Sequence, residues 1–384
     1  MTNKNLFALI LMNLLCTEVF AQINILDSVY HQLQWRTYKI HIPPSYNGTN
    51  SIPLVIALHG GGHDADTMEY ISNLSIKSDT SNFIVVYPNG RKFFTRTWNA
   101  GTCCGNSVTY NVDDVGFIVK MINSLKANYN IDANRIYLTG ASNGGMMAYR
   151  LACERADIFA AVAPVAATMV VTDICSPTRA VPLLHIHSLP DTRVPYNGGF
   201  GTGFAGVYMP PIDSIIGVWL QNDTCTIAFD TVYNANGVVG KRWSDCSSCS
   251  EVMIYTTTDG GHSWPGGNQT STGDPVSTQL NATDLIWDFF SRHTLNCSTS
   301  SVEEIGNTKN ISPIFIYPNP TQNTLLIKTE LSIKEIVIYD ILGQKYFSKT
   351  FESQMNISKL PKGVYFLKLT DESNKVHIQK FIKK

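Results

Sequence analysis

Residues 135–152 read RIYLTGASNGGMMAYRLA, in which a strand-like run ending at Thr139 passes through Gly140-Ala141-Ser142-Asn143-Gly144 into a helix-like segment that starts near Gly145. As a bare string, G-x-S-x-G is a common coincidence; between a strand and a helix it has a mechanical meaning. The turn there must be sharp and strained, small residues on either side let the backbone pack closely, and the serine hydroxyl is left exposed. The helix start behind it adds free N–H groups and the positive end of a dipole. The stretch therefore predicts a nucleophilic serine, Ser142, at the top of a strand.

Working outward, short apolar runs recur on both sides: PLVIALHG (53–60), FIVVYPNG (83–90), FAAVAPVA (159–166), VPLLHIHS (181–188) and VMIYTTT (252–258). Between them lie helix-like stretches such as VGFIVKMINSLKANYN (115–130), where Phe117, Ile118, Met121, Ile122 and Leu125 repeat at helical spacing. The last helix is expected over residues 283–293, with Thr283 as its N-cap. Strands alternating with helices imply a largely parallel sheet covered on both faces, an α/β fold.

A serine hydroxyl is a weak nucleophile until a base takes its proton, and that base must be oriented by a carboxylate. In the α/β-hydrolase arrangement the chain order is serine, acid, histidine. Asp191 follows the VPLLHIHS strand, and His262 follows the VMIYTTT strand within DGGHSWPGG. Both are expected on loops past the carboxyl ends of strands, where α/β active sites are built. Among nine histidines, His185 and His187 lie within a strand and are expected to point into packing, while His59 and His63 flank glycines of another loop. Asp113 and Asp114 precede the nucleophile strand and open a helix, where N-capping accounts for one of them. Two N–H donors are needed for an oxyanion: Asn143, just after the serine, and a glycine of LHGGGH, with Gly61 the first choice and Gly62 the alternative.

Composition narrows the classes. Residues before 312 carry 18 Lys+Arg against 24 Asp+Glu, mildly acidic and without the basic excess that a phosphate backbone requires, so no nucleic acid partner is expected. The start has a basic residue, Lys4, an apolar run from Leu6 to Cys16 and small residues near Ala21. It reads as a secretory signal over residues 1–21, because a run of 11 residues is too short to span a membrane. Eight cysteines remain after it, an even number suited to disulfides in an oxidising compartment. Cys246-Ser-Ser-Cys249 lacks the second pair that a structural zinc site needs, so no metal is expected.

All six tryptophans precede residue 297, whereas residues 313–384 hold eleven Lys and no Cys, Trp or Arg. The polar stretch 298–312 reads as a linker between a domain at 22–297 and a tail at 313–384. Runs such as TLLIKTE, KEIVIYD and GVYFLKLT in the tail predict a small antiparallel β-sandwich.

LHGGG, TWNAGTCCGNS, VDDVGFI, GASNGGMMAYRLAC, HSLPDTRVPYNGG and GGHSWPGG together resemble the secreted feruloyl and acetylxylan esterases and polyhydroxybutyrate depolymerases of carbohydrate esterase family one, over residues 36–295. HSLPD departs from the glycine-threonine pair usual before the acid, which affects the loop geometry and leaves Asp191 in place. The resemblance implies an α/β-hydrolase fold and a serine esterase working through Ser142, Asp191 and His262 without a cofactor. It also implies that Trp98, Asn99, Tyr196 and Trp264 line the cleft, and that Cys103 and Cys104 brace its wall through disulfides to other cysteines. Esters on plant polysaccharide are the implied substrates; a polyester depolymerase and a catalytically inactive binding module are the rivals. YPNP, IYDILGQ, LPKGVYFLKL and the terminal KFIKK resemble the sorting domain used by type IX secretion in Bacteroidetes, implying an extracellular or cell-surface protein that engages that machinery. A monomer is expected.

Overall fold

The computed structural model describes residues 23–203, 206–271, 273–296, 314–318, 320–329, 331–340, 344–372 and 376–384. The expected signal segment 1–21, the linker 298–312 and Cys297 lie outside the described residues. The chain divides into two compact units between Thr299 and Ser300.

The first unit is built on one ten-stranded sheet. Its strands are β1 (Ile23–His31), β2 (Gln34–Ile42), β3 (Ile52–Leu58), β4 (Ile84–Pro88), β5 (Ile131–Ala141), β6 (Ala161–Val165), β7 (Leu183–Ser188), β8 (Asp230–Ala235), β9 (Val238–Trp243) and β10 (Val252–Thr257), in the spatial order β1-β2-β4-β3-β5-β6-β7-β10-β9-β8. From β4 through β10 all neighbours are parallel. The hairpins β1–β2 and β8–β9 add antiparallel edges.

Continuous apolar runs form these central strands because both faces are covered: every residue of β3, β4, β6 and β7 is buried. Alternate residues feed opposite layers. Leu54, Ile56, Leu58, Ile84 and Val86 join Phe117, Met121, Met147 and Leu151 on one face. Val55, Ala57, Val85 and Tyr87 join Met68, Ile286, Phe289 and Phe290 on the other.

The covering helices start where the sequence supplies caps. Asp113 caps the helix Asp114–Asn128 by accepting from the Gly116 N–H at 2.8 Å. The last helix, Ala282–Ser291, is capped by Asn281, which accepts from the Asp284 N–H at 3.0 Å. The expected cap, Thr283, instead sits inside the first turn, where its hydroxyl accepts from Trp264 Nε1 and donates to Ser72 O. A buried hydroxyl with two partners there does more than a cap could.

The second unit forms two antiparallel sheets, Ile314–Tyr317, Thr324–Thr329 and Gln354–Asn356 in one, and Ile333–Asp340, Lys345–Lys349, Gly363–Asp371 and Val376–Lys383 in the other. Leu325, Ile336, Leu367, Leu369 and Phe381 make its own core.

Candidate active site

Ser142 joins β5 to the helix Asn143–Glu154, with φ +54° and ψ −123°. A side chain in that region is strained and is held only by its surroundings. The surroundings are close backbone contacts. A Cβ on Gly140 would lie 2.6 Å from Gly144 C and 2.9 Å from Leu58 O, and one on Gly144 would lie 2.2 Å from Leu58 O and 2.6 Å from His59 O. The two glycines of G-x-S-x-G are thus required by the approach of the elbow to β3. Gly144→Ala is expected to lower stability by about 3 kcal/mol or more, because backbone confronts the new methyl on two sides. Thermal melts should show a drop of roughly 5–10 °C together with lost turnover.

Asp191 follows β7 and His262 follows β10, so both stand with Ser142 at the carboxyl end of the parallel strands. The Asp191 carboxylate is fully enclosed. Its Oδ1 accepts the N–H groups of Arg193 and Val194, each at 2.9 Å, and its Oδ2 lies 2.7 Å from His262 Nδ1. Burial pushes this carboxyl up, but the His262 hydrogen bond, the neighbouring imidazoles and the Val194 N–H outweigh it, and the net direction is below the usual carboxylate value. With Nδ1–H given to Asp191, His262 Nε2 is the ring's remaining basic nitrogen. The His262 N–H is itself held by Asp274 Oδ2 at 3.1 Å. His262 and Ser142 line the same cleft.

Gly61 and Asn143 also line it. Asn143 is the first residue of its helix, where an N–H has no intrahelical acceptor. Its side chain is fixed on Trp98, accepting from the N–H at 2.7 Å and donating to the carbonyl at 3.1 Å. Gly62, the alternative to Gly61, gives its N–H to Arg96 O at 2.8 Å. The glycine loop is steadied by His59, which is fully buried and drawn down to about 3 by that burial. Gly90 N donates to its Nε2 at 3.0 Å, so the ring proton sits on Nδ1 and goes to Gly60 O at 2.7 Å.

Of the aromatic and amide residues expected along the cleft, Trp264 lines it. Trp98 and Asn99 are buried behind it: Trp98 Nε1 donates to His59 O at 2.9 Å, and Asn99 Nδ2 donates to Val112 O at 3.1 Å. Trp98 thus braces the glycine loop from below. Tyr196 donates its hydroxyl to Asp213 Oδ1 at 2.6 Å, and its ring packs T-shaped with that of His187.

The cysteines also differ from expectation. Cys103 and Cys104 are joined to each other, and Cys153–Cys175 and Cys225–Cys246 form the other bonds between described residues. Each vicinal thiol has its neighbour as the nearest sulfur while Cys153 and Cys175 satisfy one another, so no brace to a distant cysteine forms. Cys104 nonetheless lines the cleft. Cys246 and Cys249 are both disulfide-bonded, which removes them as thiolate ligands.

Two features went unread in the sequence. His185 and His187 are buried in β7, as strand residues should be, yet they form a chain: Tyr149 O–H to His185 Nδ1 at 2.8 Å, His185 Nε2 to His187 Nδ1 at 3.1 Å, and His187 Nε2 to Val194 O at 2.8 Å. One proton per ring satisfies every link, and burial holds both imidazoles below their ordinary value. His187 Nε2 lies 3.7 Å from Asp191 Oδ2, behind the acid and its loop. The second feature is His63, which lines the cleft. Spacing of two in a strand, H-x-H, was the available signal for the first; the second had none beyond proximity to glycines.

A strained serine at a strand-to-helix elbow, a buried Asp–His pair and two N–H groups on one cleft at the carboxyl end of a mostly parallel sheet define the class: an α/β-hydrolase with a serine-hydrolase site. Two family models match parts of the chain. Residues 36–193 match the family described as "Esterase PHB depolymerase", and residues 315–384 match the "Secretion system C-terminal sorting domain". A protein with this tail is exported.

Curated relatives include feruloyl esterase B of Piromyces equi, 27% identical over 58% of this chain and 42% of its own length. A bifunctional acetylxylan esterase/xylanase of Neocallimastix patriciarum is 27% identical over 74% of this chain and 38% of its own. A probable feruloyl esterase C of Aspergillus niger is 28% identical over 68% and 85%. The chain thus spans about two fifths of the length of the first two. Among solved structures, an acetyl xylan esterase from Aspergillus awamori aligns with a TM-score of 0.49 at 14% identity, covering 70% of this chain and 99% of that one.

Proposed function

We propose that this protein is a secreted carboxylic-ester hydrolase whose domain at residues 22–297 cleaves feruloyl or acetyl esters on plant polysaccharide. The observation that carries the reading is the enclosed 2.7 Å contact of Asp191 with His262, on a cleft that also holds Ser142. As His262 Nε2 takes the hydroxyl proton, Ser142 Oγ bonds to the ester carbonyl carbon. The resulting oxyanion accepts from the Gly61 and Asn143 N–H groups. The carbon–oxygen bond to the alcohol then breaks, and His262 returns the proton to the departing oxygen. Water, deprotonated by His262, attacks the acyl carbon, the bond to Ser142 Oγ breaks, and the acid leaves with the serine re-protonated. These steps draw on side chains and backbone alone.

The substrate class is supported by the relatives' names and by the cleft, whose lining combines apolar residues, Ile71, Met146, Ala166, Val276 and Trp264, with polar ones, Asn268, Thr270 and Asp274. An aromatic or small acyl group suits the first, and a sugar alcohol the second. The matched family's description favours a second reading, polyhydroxybutyrate hydrolysis. A binding module that has lost catalysis is disfavoured by the filled serine, acid and histidine positions. We also propose that residues 1–21 are a cleaved signal, that 298–312 link the units, that the tail at 313–384 engages type IX secretion machinery, and that the enzyme works as a monomer.

Turnover of methyl ferulate, acetylated xylan and polyhydroxybutyrate film by the purified protein, with Ser142→Ala as the blank, tests the reading. Serine-dependent release from ferulate or xylan is expected. Film clearing alone would transfer the assignment to the depolymerase, and silence on all three would remove it.

A further inference from the structure

Asp274 joins the loop of the acid to the loop of the base. Its Oδ2 accepts the His262 N–H at 3.1 Å and lies 3.1 Å from Arg193 Nε, and its Oδ1 lies 3.4 Å from Arg193 Nη2. Arg193 in turn gives its backbone N–H to Asp191 Oδ1 at 2.9 Å, and Asp191 Oδ2 meets His262 Nδ1 at 2.7 Å. These contacts close a circuit that runs from Asp191 through His262, Asp274 and Arg193 back to Asp191. His262 is held in it twice, at the imidazole by Asp191 and at the main chain by Asp274.

The chain is shaped to bring Asp274 there. The loop that carries it folds around the Gln269 side chain: Nε2 donates to Gly273 O and Asp274 O, each at 2.9 Å, and Oε1 accepts the Val276 N–H at 3.1 Å. The loop is tied to the base loop a second time by Ser263 Oγ, which donates to Pro275 O at 3.0 Å. Gly261 lets the two come close, since a Cβ there would lie 2.9 Å from Asp274 Cβ. Asp274 and Arg193 are both partly open to solvent, 30% and 42% exposed, and an ion pair at such exposure adds little to stability. What it fixes is position.

Position is what the base needs. Asp191 decides which His262 nitrogen carries the proton, but the place of the imidazole also depends on where the His262 main chain lies. Misplacing a catalytic group by about 1 Å can cost 10²-fold in rate. The acid follows β7 and the base follows β10, on separate loops, and the Arg193–Asp274 pair links them directly. We infer that Asp274 is a positioning residue which, through the His262 N–H and the Arg193 guanidinium, keeps the acid loop and the base loop in register, so that His262 holds its place on the cleft it shares with Ser142. Asp274 acts through these two residues and not on the substrate. The inference rests on the esterase reading above and adds a second carboxylate to the machinery of that site.

The test uses the full-length protein as wild type, Asp274→Ala, Asp274→Asn, Arg193→Ala and the double variant Arg193→Ala/Asp274→Ala, each assayed on ethyl acetate, ethyl ferulate and acetylated xylan. Active sites are counted by exhaustive labelling with a fluorophosphonate, so that kcat refers to folded sites, and a thermal melt sets the assay temperature below each transition. Asp274→Ala is expected to lower kcat roughly 10- to 100-fold on every ester with KM within about threefold of wild type. Asp274→Asn should recover most of the loss, because its amide oxygen can still accept from the His262 N–H. The double variant should be no slower than Asp274→Ala, since residues that act as one unit are not additive. An unchanged kcat in Asp274→Ala overturns the inference. So does a KM rise confined to one ester, which would make Asp274 a substrate contact, or an Asp274→Asn protein as slow as Asp274→Ala, which would make its charge and not its hold on His262 the contribution. Independent losses that multiply in the double variant overturn the link through Arg193. Absence of Ser142-dependent turnover in wild type would instead remove the esterase reading, and this inference with it.

Discussion

Ser142→Ala is expected to lower ester turnover about 10⁵- to 10⁶-fold while leaving the protein folded. The first half follows from the loss of the bond-forming oxygen. Ser142 is the residue at the elbow, and it lines the cleft together with Gly61, Asn143 and His262. The second half follows from what Ser142 does not do. Its side chain makes no capping hydrogen bond to the helix it starts, so removing Oγ deprives the fold of nothing. Alanine tolerates φ +54° no worse than serine, both having a Cβ to accommodate. Stopped-time assays and a melting curve on the same preparations check both halves. Normal turnover in a well-folded Ser142→Ala protein would sink the proposed chemistry, and a collapsed melt would mean that the hydroxyl has a structural role absent from its contacts here.

How far this site could be read from the sequence depended on how local each signal was. The elbow is local: Gly140, Ser142 and Gly144 sit within five residues, and the contacts that demand glycine, Leu58 O and His59 O, come from the adjacent strand end. The parallel strands were legible because burial on both faces makes them rich in Val, Ile, Leu and Ala. The edge hairpins were not, since solvated positions dilute the pattern, and β8 is exposed throughout. In β8–β9 a hairpin signal was present all the same: Asn236-Gly237, with φ of +52° and +75°, joins DTVYNA to VVGKRW. The β1–β2 turn had no such signal, because Gln32 and Leu33 occupy the same left-handed region, at +47° and +60°, with residues that give no hint of it.

Trp98 and Asn99 show a different limit. A motif places residues near a site without saying which side of the backbone they serve, and here both turn inward, Trp98 to hold the glycine loop through His59 O and Asn99 to hold Val112 O. His63 shows the converse. Nothing in GGGHD distinguishes a cleft residue from a surface one, and that His63 lines the cleft is a property of packing.

The Asp191–His262 pair offers the sharpest separation of geometry from charge. Asp191→Asn is expected to lower kcat about 10⁴-fold with little effect on folding. The amide oxygen can remain where Oδ1 is, since the N–H groups of Arg193 and Val194 both need an acceptor there. That choice puts the amide NH₂ in the place of Oδ2, 2.7 Å from His262 Nδ1. Two donors cannot share the contact, so the ring proton moves from Nδ1 to Nε2, and the nitrogen facing the serine side becomes a donor unable to take the hydroxyl proton. His187 does not rescue the arrangement, because its own Nε2–H is committed to Val194 O. The loss should therefore appear in kcat for every ester alike, independent of acyl group or alcohol. Turnover within tenfold of wild type would show that His262 is oriented by something other than this carboxylate, and the acid would have to be sought elsewhere on the cleft, with Asp274 next in line through its hold on the His262 backbone.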